Sequence, residues 1–288
     1  MHYIKLPPNK VIITVAQNGA LVNKKMNPNV PEQPEEVAAS AYDCYNEGAA
    51  IIHIHARDKE GKPTGSVDVF RDIHERIRKK CNAIIQDSTG GGSNLTVEQR
   101  TECLEAYPEM ASLNMGTMVR TIGEAAGTVW MNSRADIESF VTRMNKFGVK
   151  PEMECYNLAM LHEVEILIEK ELVQKPYYVD LILGMAYQGA LQANPFFFTT
   201  YLQYLPADII FNSLGVGSWQ TPIATIGMIH GGCVRVGLED NIYYKKGELA
   251  KNNAQLVARI VRIARELGKE PATPDEARQI LGLKPLKG

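Results

Sequence analysis

Paired cysteines are missing from this sequence. It holds five cysteines, an odd number, and none of them belongs to a CxxC pair: Cys44, Cys81, Cys103, Cys155 and Cys233. A disulfide framework and a zinc site built from thiolates both depend on paired cysteines at short spacings. The pattern therefore argues against both and predicts reduced thiols that are mostly buried.

Long apolar runs and an excess of one charge are also missing. Lys and Arg number 31 against 33 Asp and Glu, so a net charge of −2 gives no broad cationic field for nucleic acid or an anionic membrane. The N-terminal stretch MHYIKLPPNK lacks the apolar segment of a signal peptide, and no run approaches the ~20 apolar residues that span a bilayer. We expect a cytoplasmic protein whose partners are small molecules.

Eight short apolar segments alternate with helical segments in a chain of 288 residues, of which 45% are hydrophobic. The strand-like segments lie at 11–16, 49–55, 82–88, 110–114, 150–155, 177–184, 207–213 and 232–236. Alternation of this kind is compatible with a closed barrel or an open doubly wound sheet. The count of eight favours an α/β fold of the (β/α)8 TIM-barrel type. A dinucleotide-binding sheet would need GxGxxG after its first strand, where VIITVAQNGA supplies only Gly19.

Helical periodicity and end signals mark the segments between the strands. One segment begins with a proline, carries two glutamates in its first turn and stops at Gly48. Helices are predicted at 34–47, 135–147, 247–266 and, as a short extra helix, 274–282. The segment 117–131 is too long for a plain connection and predicts a hairpin or lid. Because no linker or repeat divides the chain, we expect one barrel domain over residues 1–288.

Two histidines at the end of the second strand are the first candidates for chemistry. His53 and His55 stand two residues apart, so both imidazoles project to the same face. Barrel active sites lie at this end of the strands. In a closed barrel, strands eight and two both flank strand one, so Glu239 lies where it completes a set of two histidines and one carboxylate. Such a set suits zinc, and its N and O ligands also admit iron, manganese or cobalt.

The same residues also allow a structural interpretation. One histidine would pack in the barrel while the other hydrogen-bonds locally, and Glu239 and Asp240 would serve as cap or loop carboxylates. The joint occurrence of the histidine pair and the carboxylate favours the metal site.

A glycine-rich turn follows the third strand. Ser88, Thr89 and Gly90 open it, and its backbone N–H groups and hydroxyl suit a carboxylate or a phosphate, although such a turn is often only a turn. Asn114 occupies the equivalent place after strand four. We therefore take all four residues as candidates for substrate binding.

Two carboxylates lie two residues apart on strand five, hence on one face. Of Glu152 and Glu154, the second is the better candidate, either as a salt-bridge partner or as a polar residue of the site. Arg57 and Asp58, just beyond the histidines, are predicted to form a structural ion pair at the barrel rim.

Taken in chain order, these motifs resemble the β-keto acid cleavage enzyme family, whose founding activity is 3-keto-5-aminohexanoate cleavage. The resemblance runs nearly end to end, through ITVAQNGA, GAAIIHIHARD, DSTGGG, SLNMGTM, PEMECYN, LILGM, GVGSWQTP and GGCVRVGLEDN. HIHARD together with VRVGLEDN is its most specific part.

The resemblance implies roles for residues of this chain. Arg235 and Asp240 would assist proton removal from the keto acid, and Ser88 would hold its carboxylate. In the family, the activated keto acid attacks the thioester of acetyl-CoA, CoA migrates, and a retro-Claisen step releases acetoacetate and a new acyl-CoA. A homotetramer is implied as well. The implied cofactor is a zinc ion held by His53, His55 and Glu239.

Two positions depart from the amino-substrate branch of that family. Leu21 stands where that branch carries an acid that meets the substrate ammonium group, and Asn18 replaces the usual threonine of the same turn. Without a carboxylate at position 21, a neutral or apolar keto acid is expected. In the opposing interpretation, Leu21 faces the core and Glu154 meets the ammonium group.

Two other classes of function are compatible with parts of the pattern. A metal-dependent hydrolase of the amidohydrolase kind also uses HxH on a barrel strand, but on the first one. It needs further histidines after strands five and six, where this chain offers only His162. A barrel that serves binding or assembly without catalysis is the non-enzyme alternative, and metal content separates it from the others.

Overall fold

Eight parallel strands form the central barrel of the protein. The computed structural model describes residues 2–92, 94–123 and 125–286. We number the barrel strands β1 (Ile13–Ala16), β2 (Ile51–Ile54), β3 (Ile84–Asp87), β4 (Met110–Asn114), β5 (Lys150–Cys155), β6 (Tyr177–Leu183), β7 (Ile209–Gly215) and β8 (Val234–Val236). Each of the eight predicted strands is confirmed.

The strands pair in chain order, and the ends of the sheet meet. Arg235 of β8 lies opposite Thr14 of β1. Between β7 and β8, the Cys233 N–H donates to the Phe211 carbonyl at 2.8 Å, and the Ser213 N–H donates to the Cys233 carbonyl at 3.1 Å. These bonds close the sheet, so the (β/α)8 barrel is confirmed over the open doubly wound sheet.

Helices cover the outside of the barrel. They are α1 (Pro34–Glu47), α2 (Val67–Arg78), α3 (Val97–Arg100), α4 (Arg134–Phe147), α5 (Leu158–Glu169), α6 (Pro195–Tyr204), α7 (Gln220–Ile229), α8 (Asn253–Glu266) and α9 (Pro274–Leu281). Short 3-10 turns lie at Glu102–Ala106 and Gly217–Trp219. Among the described residues, every helix is too short or too polar to span a membrane.

The predicted helix at 247–266 begins later than the periodicity indicated. Tyr243–Lys245 and Glu248–Leu249 pair as a small antiparallel hairpin instead, and Leu249 is exposed rather than part of the helical stripe. The helix starts after Asn252, because that side chain accepts a hydrogen bond from the Gln255 N–H and so caps the first turn.

Side chains inside the barrel form layers, because every second residue of a strand points inward. Near the amino ends of the strands the inner layer is apolar and consists of Ile12, Ile51, Ile84, Met110, Tyr178, Ile210 and Cys233. Two residues further along each strand the buried inner layer is polar and consists of Thr14, His53, Gln86, Ser112, Glu152, Asp180, Asn212 and Arg235. The apolar layer also packs against α9 through Ala277 and Leu281, which closes the bottom of the barrel.

A three-stranded antiparallel sheet stands at the carboxyl end of the barrel. Met118–Arg120 pairs with Val129–Trp130 on one side and with Tyr187–Gln188 on the other, and we call this the rim sheet. Its first two strands occupy the segment 117–131, of which residue 124 lies outside the described residues.

Candidate active site

A cavity of about 200 Å³ opens at the carboxyl ends of the barrel strands, below the rim sheet. Polar side chains from β2, β5, β8 and the turn after β3 line one part of it. Apolar side chains from β6, β7 and the loops that follow them line another. Its walls are formed by Gly19, Ala20, Leu21, Val22, His53, His55, Pro63, Ser88, Gly90, Gly91, Gly92, Asn94, Arg120, Trp130, Glu154, Tyr156, Ile182, Met185, Tyr187, Leu214, Val216, Arg235, Glu239 and Asp240.

His53, His55 and Glu239 come together in this cavity as the sequence predicted. Their ligand atoms all lie within 4.8 Å of one another. His53 Nε2 is 3.7 Å from Glu239 Oε2, and His55 Nε2 is 3.4 Å from Glu239 Oε1. Glu239 Oε2 is buried and has no hydrogen-bond partner among the described residues. Two imidazole nitrogens and a carboxylate oxygen that still needs a partner make a suitable ligand set for a divalent metal ion.

The protonation state of His53 suits a metal ligand. The side chain is almost fully buried, and burial, together with the nearby Arg235 charge, lowers its pKa to about 3 although Glu239 opposes the shift. The imidazole is therefore neutral at neutral pH. Gln86 Oε1 lies 2.8 Å from Nδ1 and fixes the ring, which leaves Nε2 directed toward Glu239.

The turn after β1 positions the remaining groups of the cluster. The Asn18 side chain accepts from the His55 N–H and donates to the His55 carbonyl at 2.9 Å, so it fixes the backbone that carries this histidine. Gly19 has a φ of +56°, and a Cβ there would lie 2.6 Å from Glu239 Cγ. A side chain at position 19 would thus displace the carboxylate.

Arg235 connects the cluster of His53, His55 and Glu239 to the other acidic groups of the site. It is 3% exposed and donates to Asp240 through Nε and Nη2, both at 3.0 Å, to Glu239 through Nη2 at 2.8 Å, and to Glu154 through Nη1 at 3.3 Å. These three carboxylates hold the pKa of the guanidinium well above its ordinary value despite burial. Burial raises the pKa of Asp240 to about 6, with Arg235 opposing the rise.

Glu154 faces the cavity and carries a strongly raised pKa. Burial lifts it to about 8 against the pull of Arg235, so the carboxyl is mostly protonated at neutral pH. Its Oε2 lies 3.5 Å from the Tyr156 hydroxyl. Glu152 and Asp180 lie one layer deeper, and burial raises the pKa of both, that of Asp180 to about 7. Both interpretations of Glu154 thus apply, since it lines the cavity and contacts Arg235.

The turn after β3 contributes one hydroxyl and several backbone groups to the cavity. Ser88 Oγ lines the wall and accepts from the Gly90 N–H at 3.1 Å. Thr89 points elsewhere, because its hydroxyl donates to the Ser112 carbonyl at 2.6 Å. Asn114 lies behind the wall, where its Oδ1 accepts from the Tyr156 hydroxyl at 3.1 Å. Of the four predicted substrate-binding residues of this region, Ser88 and Gly90 reach the cavity surface.

Leu21 lies at the cavity wall and is 44% exposed, so it does not face the core.

The expected ion pair between Arg57 and Asp58 is not formed. Arg57 donates to the backbone carbonyls of Gly19 and Val22, whereas the Asp58 carboxylate accepts from the Lys62 N–H at 2.8 Å. Arg57 thus ties the turn after β1 to the loop after β2.

Three residues that support the site, Gln86, Arg120 and Trp130, were not predicted from the sequence. Gln86 was detectable as a polar residue at an inward position of β3. Arg120 and Trp130 were not, because the segment between β4 and α4 carries no strand periodicity that assigns its side chains to a face. His162, the histidine that the hydrolase alternative would use after β5, lies on the exposed surface of α5 beside Glu165 and does not line this cavity.

A closed (β/α)8 barrel with a cluster of buried histidines, carboxylates and an arginine at the carboxyl ends of its strands belongs to the class of barrel enzymes. The family follows from a match over nearly the whole chain. The model of the beta-keto acid cleavage enzyme family matches residues 10–283, and the chain belongs to this family.

Curated relatives match over nearly their full length. The 3-keto-5-aminohexanoate cleavage enzyme of Fusobacterium nucleatum is 42% identical over 276 residues, which is 96% of this chain and 98% of that protein. The 3,5-dioxohexanoate:acetyl-CoA acetone transferase of Paraburkholderia graminis is 34% identical over 300 residues, 96% of each chain. The solved apo structure of ObcA has a TM-score of 0.74 at 18% identity and covers 89% of this chain and 66% of that one, a likeness of fold.

Proposed function

We propose that this protein cleaves a β-keto acid with acetyl-CoA as its co-substrate and releases acetoacetate and a new acyl-CoA. One observation carries the proposal. In a chain of this family, His53, His55 and Glu239 lie at the same cavity as the Arg235–Asp240 pair. The relatives named above, a cleavage enzyme and an acetyl-CoA transferase, support the same class of reaction.

A divalent metal, which we propose to be zinc, fits the cluster. The unpartnered Glu239 Oε2 and the neutral His53 ring support this assignment. When bound, the ion would supply Lewis-acid stabilisation of negative charge on the keto oxygen. The proposed ligands are His53, His55 and Glu239.

The chain's own groups would bind the substrate and move its proton. Ser88 Oγ and the adjoining backbone of the glycine-rich turn would hold the carboxylate of the keto acid. Asp240 would accept the proton from the carbon between the two carbonyl groups, and its pKa of about 6 leaves it mostly ionised at neutral pH. Arg235 orients Asp240 through two hydrogen bonds and supplies positive charge near the developing anion.

The reaction then balances without a further reactant. The carbanion attacks the thioester carbonyl of acetyl-CoA and forms a new carbon–carbon bond. The CoA thiolate leaves the acetyl carbon and adds to the original keto carbon, the old bond between that carbon and its neighbour breaks, and the released acetoacetate carbanion takes back the proton that Asp240 accepted. The products are acetoacetate, which contains the former acetyl group, and an acyl-CoA that carries the tail of the keto acid.

An isotope experiment tests the proposal. Purified protein is incubated with a panel of β-keto acids and acetyl-CoA labelled with ¹³C in both acetyl carbons, and products are followed by mass spectrometry. We expect doubly labelled acetoacetate and unlabelled acyl-CoA in equal amounts. Product release without acetyl-CoA would instead support a hydrolase, and the absence of any product from the whole panel would refute the assignment.

We further propose that the keto acid carries no ammonium group on its tail, because Leu21 offers no counter-charge for one at the cavity wall. The predicted single domain over 1–288, homotetramer and cytoplasmic location stay predictions. Gel filtration with light scattering tests the oligomeric state directly.

A further inference from the structure

One cavity-lining cation lies outside the groups assigned above. Arg120 lies on the middle strand of the rim sheet, directly opposite Tyr187, and Met118 on the same strand lies opposite Trp130. Alternation along a strand puts Arg120, Tyr187 and Trp130 on one face. This face looks into the cavity, since all three residues line it. Arg120 is nevertheless only 7% exposed.

The guanidinium of Arg120 has weak neutral partners. Its Nη1 lies 3.3 Å from Thr128 Oγ1 and 3.3 Å from the Val129 carbonyl, and its centre lies 5.7 Å from the centre of the Trp130 ring. Within residues 2–92, 94–123 and 125–286, no carboxylate approaches it within 4 Å. Arg235, in the same cavity, meets three. A buried cation that lacks a counter-charge and borders an open cavity is suited to bind an anionic ligand.

The Ser88 turn and Arg120 meet different parts of the Trp130 side chain. The Trp130 Nε1 donates to the Gly90 carbonyl at 3.3 Å, whereas the centre of the Arg120 guanidinium lies 5.7 Å from the centre of the ring. A Cβ at Gly90 would lie 3.5 Å from the same ring and 3.2 Å from Ser88 Oγ. The cavity therefore offers two separate places for negatively charged oxygen atoms.

We propose that Arg120 binds a second carboxylate, at the distal end of the β-keto acid, so that the preferred substrates include dicarboxylic β-keto acids. This inference rests on the proposed function. It extends the argument from Leu21, since a cation at the cavity wall disfavours an ammonium tail further and favours an acidic tail over a neutral one. The phosphates of CoA share the chemistry of a carboxylate, and the experiment separates these two sources.

A matched pair of substrates tests the inference. 3-Oxohexanoate and 3-oxohexanedioate have the same chain length and differ in the terminal carboxylate. For the wild type we expect the higher kcat/KM with the diacid. Arg120→Gln should lower the diacid-to-monoacid ratio of kcat/KM at least roughly tenfold, the effect of losing one charge-assisted hydrogen bond, and Arg120→Lys should retain part of it. If Arg120 instead held a CoA phosphate, Arg120→Gln would raise KM for acetyl-CoA and leave KM for acetyl-pantetheine unchanged.

A binding measurement keeps the test independent of turnover. Adipate and hexanoate are titrated into the metal-loaded protein by calorimetry, and we expect adipate to bind more tightly to the wild type and to lose this advantage in Arg120→Gln. Because Arg120 contacts Thr128 of its own hairpin, Thr128→Val is the control for a loosened rim sheet and should leave the diacid preference intact.

The inference is overturned if Arg120→Gln changes neither substrate ratio nor adipate binding, or if Thr128→Val reproduces the loss. If turnover with every keto acid fails while adipate binding still depends on Arg120, the reaction assignment is wrong and the anion site stands.

Discussion

Replacing Glu154 by glutamine should change how the stability of the protein depends on pH. The Glu154 carboxyl is buried against Arg235 and Tyr156, and its pKa rises from 4.5 to about 8 in the folded protein. A raised carboxyl pKa means that the neutral form is favoured by folding. Its stabilisation is complete below about pH 4.5 and is lost as the pH rises through about 8. Glu154→Gln mimics the neutral form at every pH, and its amide oxygen can still accept from Arg235 Nη1.

The magnitude follows from the pKa difference. At 1.36 kcal/mol per pKa unit, the free energy of unfolding of Glu154→Gln should increase relative to the wild type by about 3 kcal/mol between about pH 5.5 and about pH 8.5. Urea unfolding of both metal-free proteins at several pH values in this range gives the difference. Metal is removed with a chelator so that the pH dependence of metal binding does not contribute.

Glu163→Gln is the matched control. Its carboxylate pairs with Arg134 on the surface, and hydrogen bonds from that guanidinium lower its pKa. Its contribution to stability is therefore present above about pH 4.5 and should stay constant over the tested range. A difference between Glu154→Gln and the wild type that is equally flat would show that Glu154 is ionised in the folded protein, and the reasoning would fail.

Three further predictions concern the metal, the proton transfer and the substrate. His53→Ala, His55→Ala and Glu239→Gln should each severely weaken metal binding, because each removes one proposed ligand, and elemental analysis measures the metal content. Full occupancy in all three variants would disprove this ligand set. Asp240→Asn and Arg235→Lys should keep the metal and the fold but lose at least about 100-fold in turnover, and near-normal rates would withdraw their catalytic roles. Leu21→Glu should raise kcat/KM for 3-keto-5-aminohexanoate relative to neutral β-keto acids, and a wild type that already favours the amino substrate would contradict the role of Leu21.

The eight strands could be predicted from the sequence because both faces of each strand are buried, which makes each one a short apolar run. The outward residues of β2, Ile52 and Ile54, pack under the helices, while the inward residues alternate with them. The same parity places His53 and His55 on one face, since they stand two residues apart in an extended segment. The start of α8 was predicted wrongly from the apolar spacing, because the Asn252 side chain caps the helix after Leu249, three positions earlier.

The side-chain contacts of the loops could not be predicted from the sequence for a different reason. Thr89 and Ser88 are neighbours of similar chemistry, yet the Ser112 carbonyl takes the Thr89 hydroxyl and leaves only Ser88 at the cavity. Arg57 was expected to pair with its neighbour Asp58, whereas three backbone carbonyls of the preceding turn surround its guanidinium. Competition among partners from different loops decides such contacts, and sequence spacing does not encode it.

The sequence by itself determined the number of strands, the parity of the histidine pair and the position of Glu239 after the last strand. Each of these follows from local rules, since strand side chains alternate and strand order closes the barrel. Only the tertiary structure decided which charges are paired. Arg235 meets carboxylates from two strand ends far apart in sequence, whereas Arg120 lies at the cavity wall over the Trp130 ring. Burial and neighbours set the energy of a charge, and both exist only after the eight strands have come together.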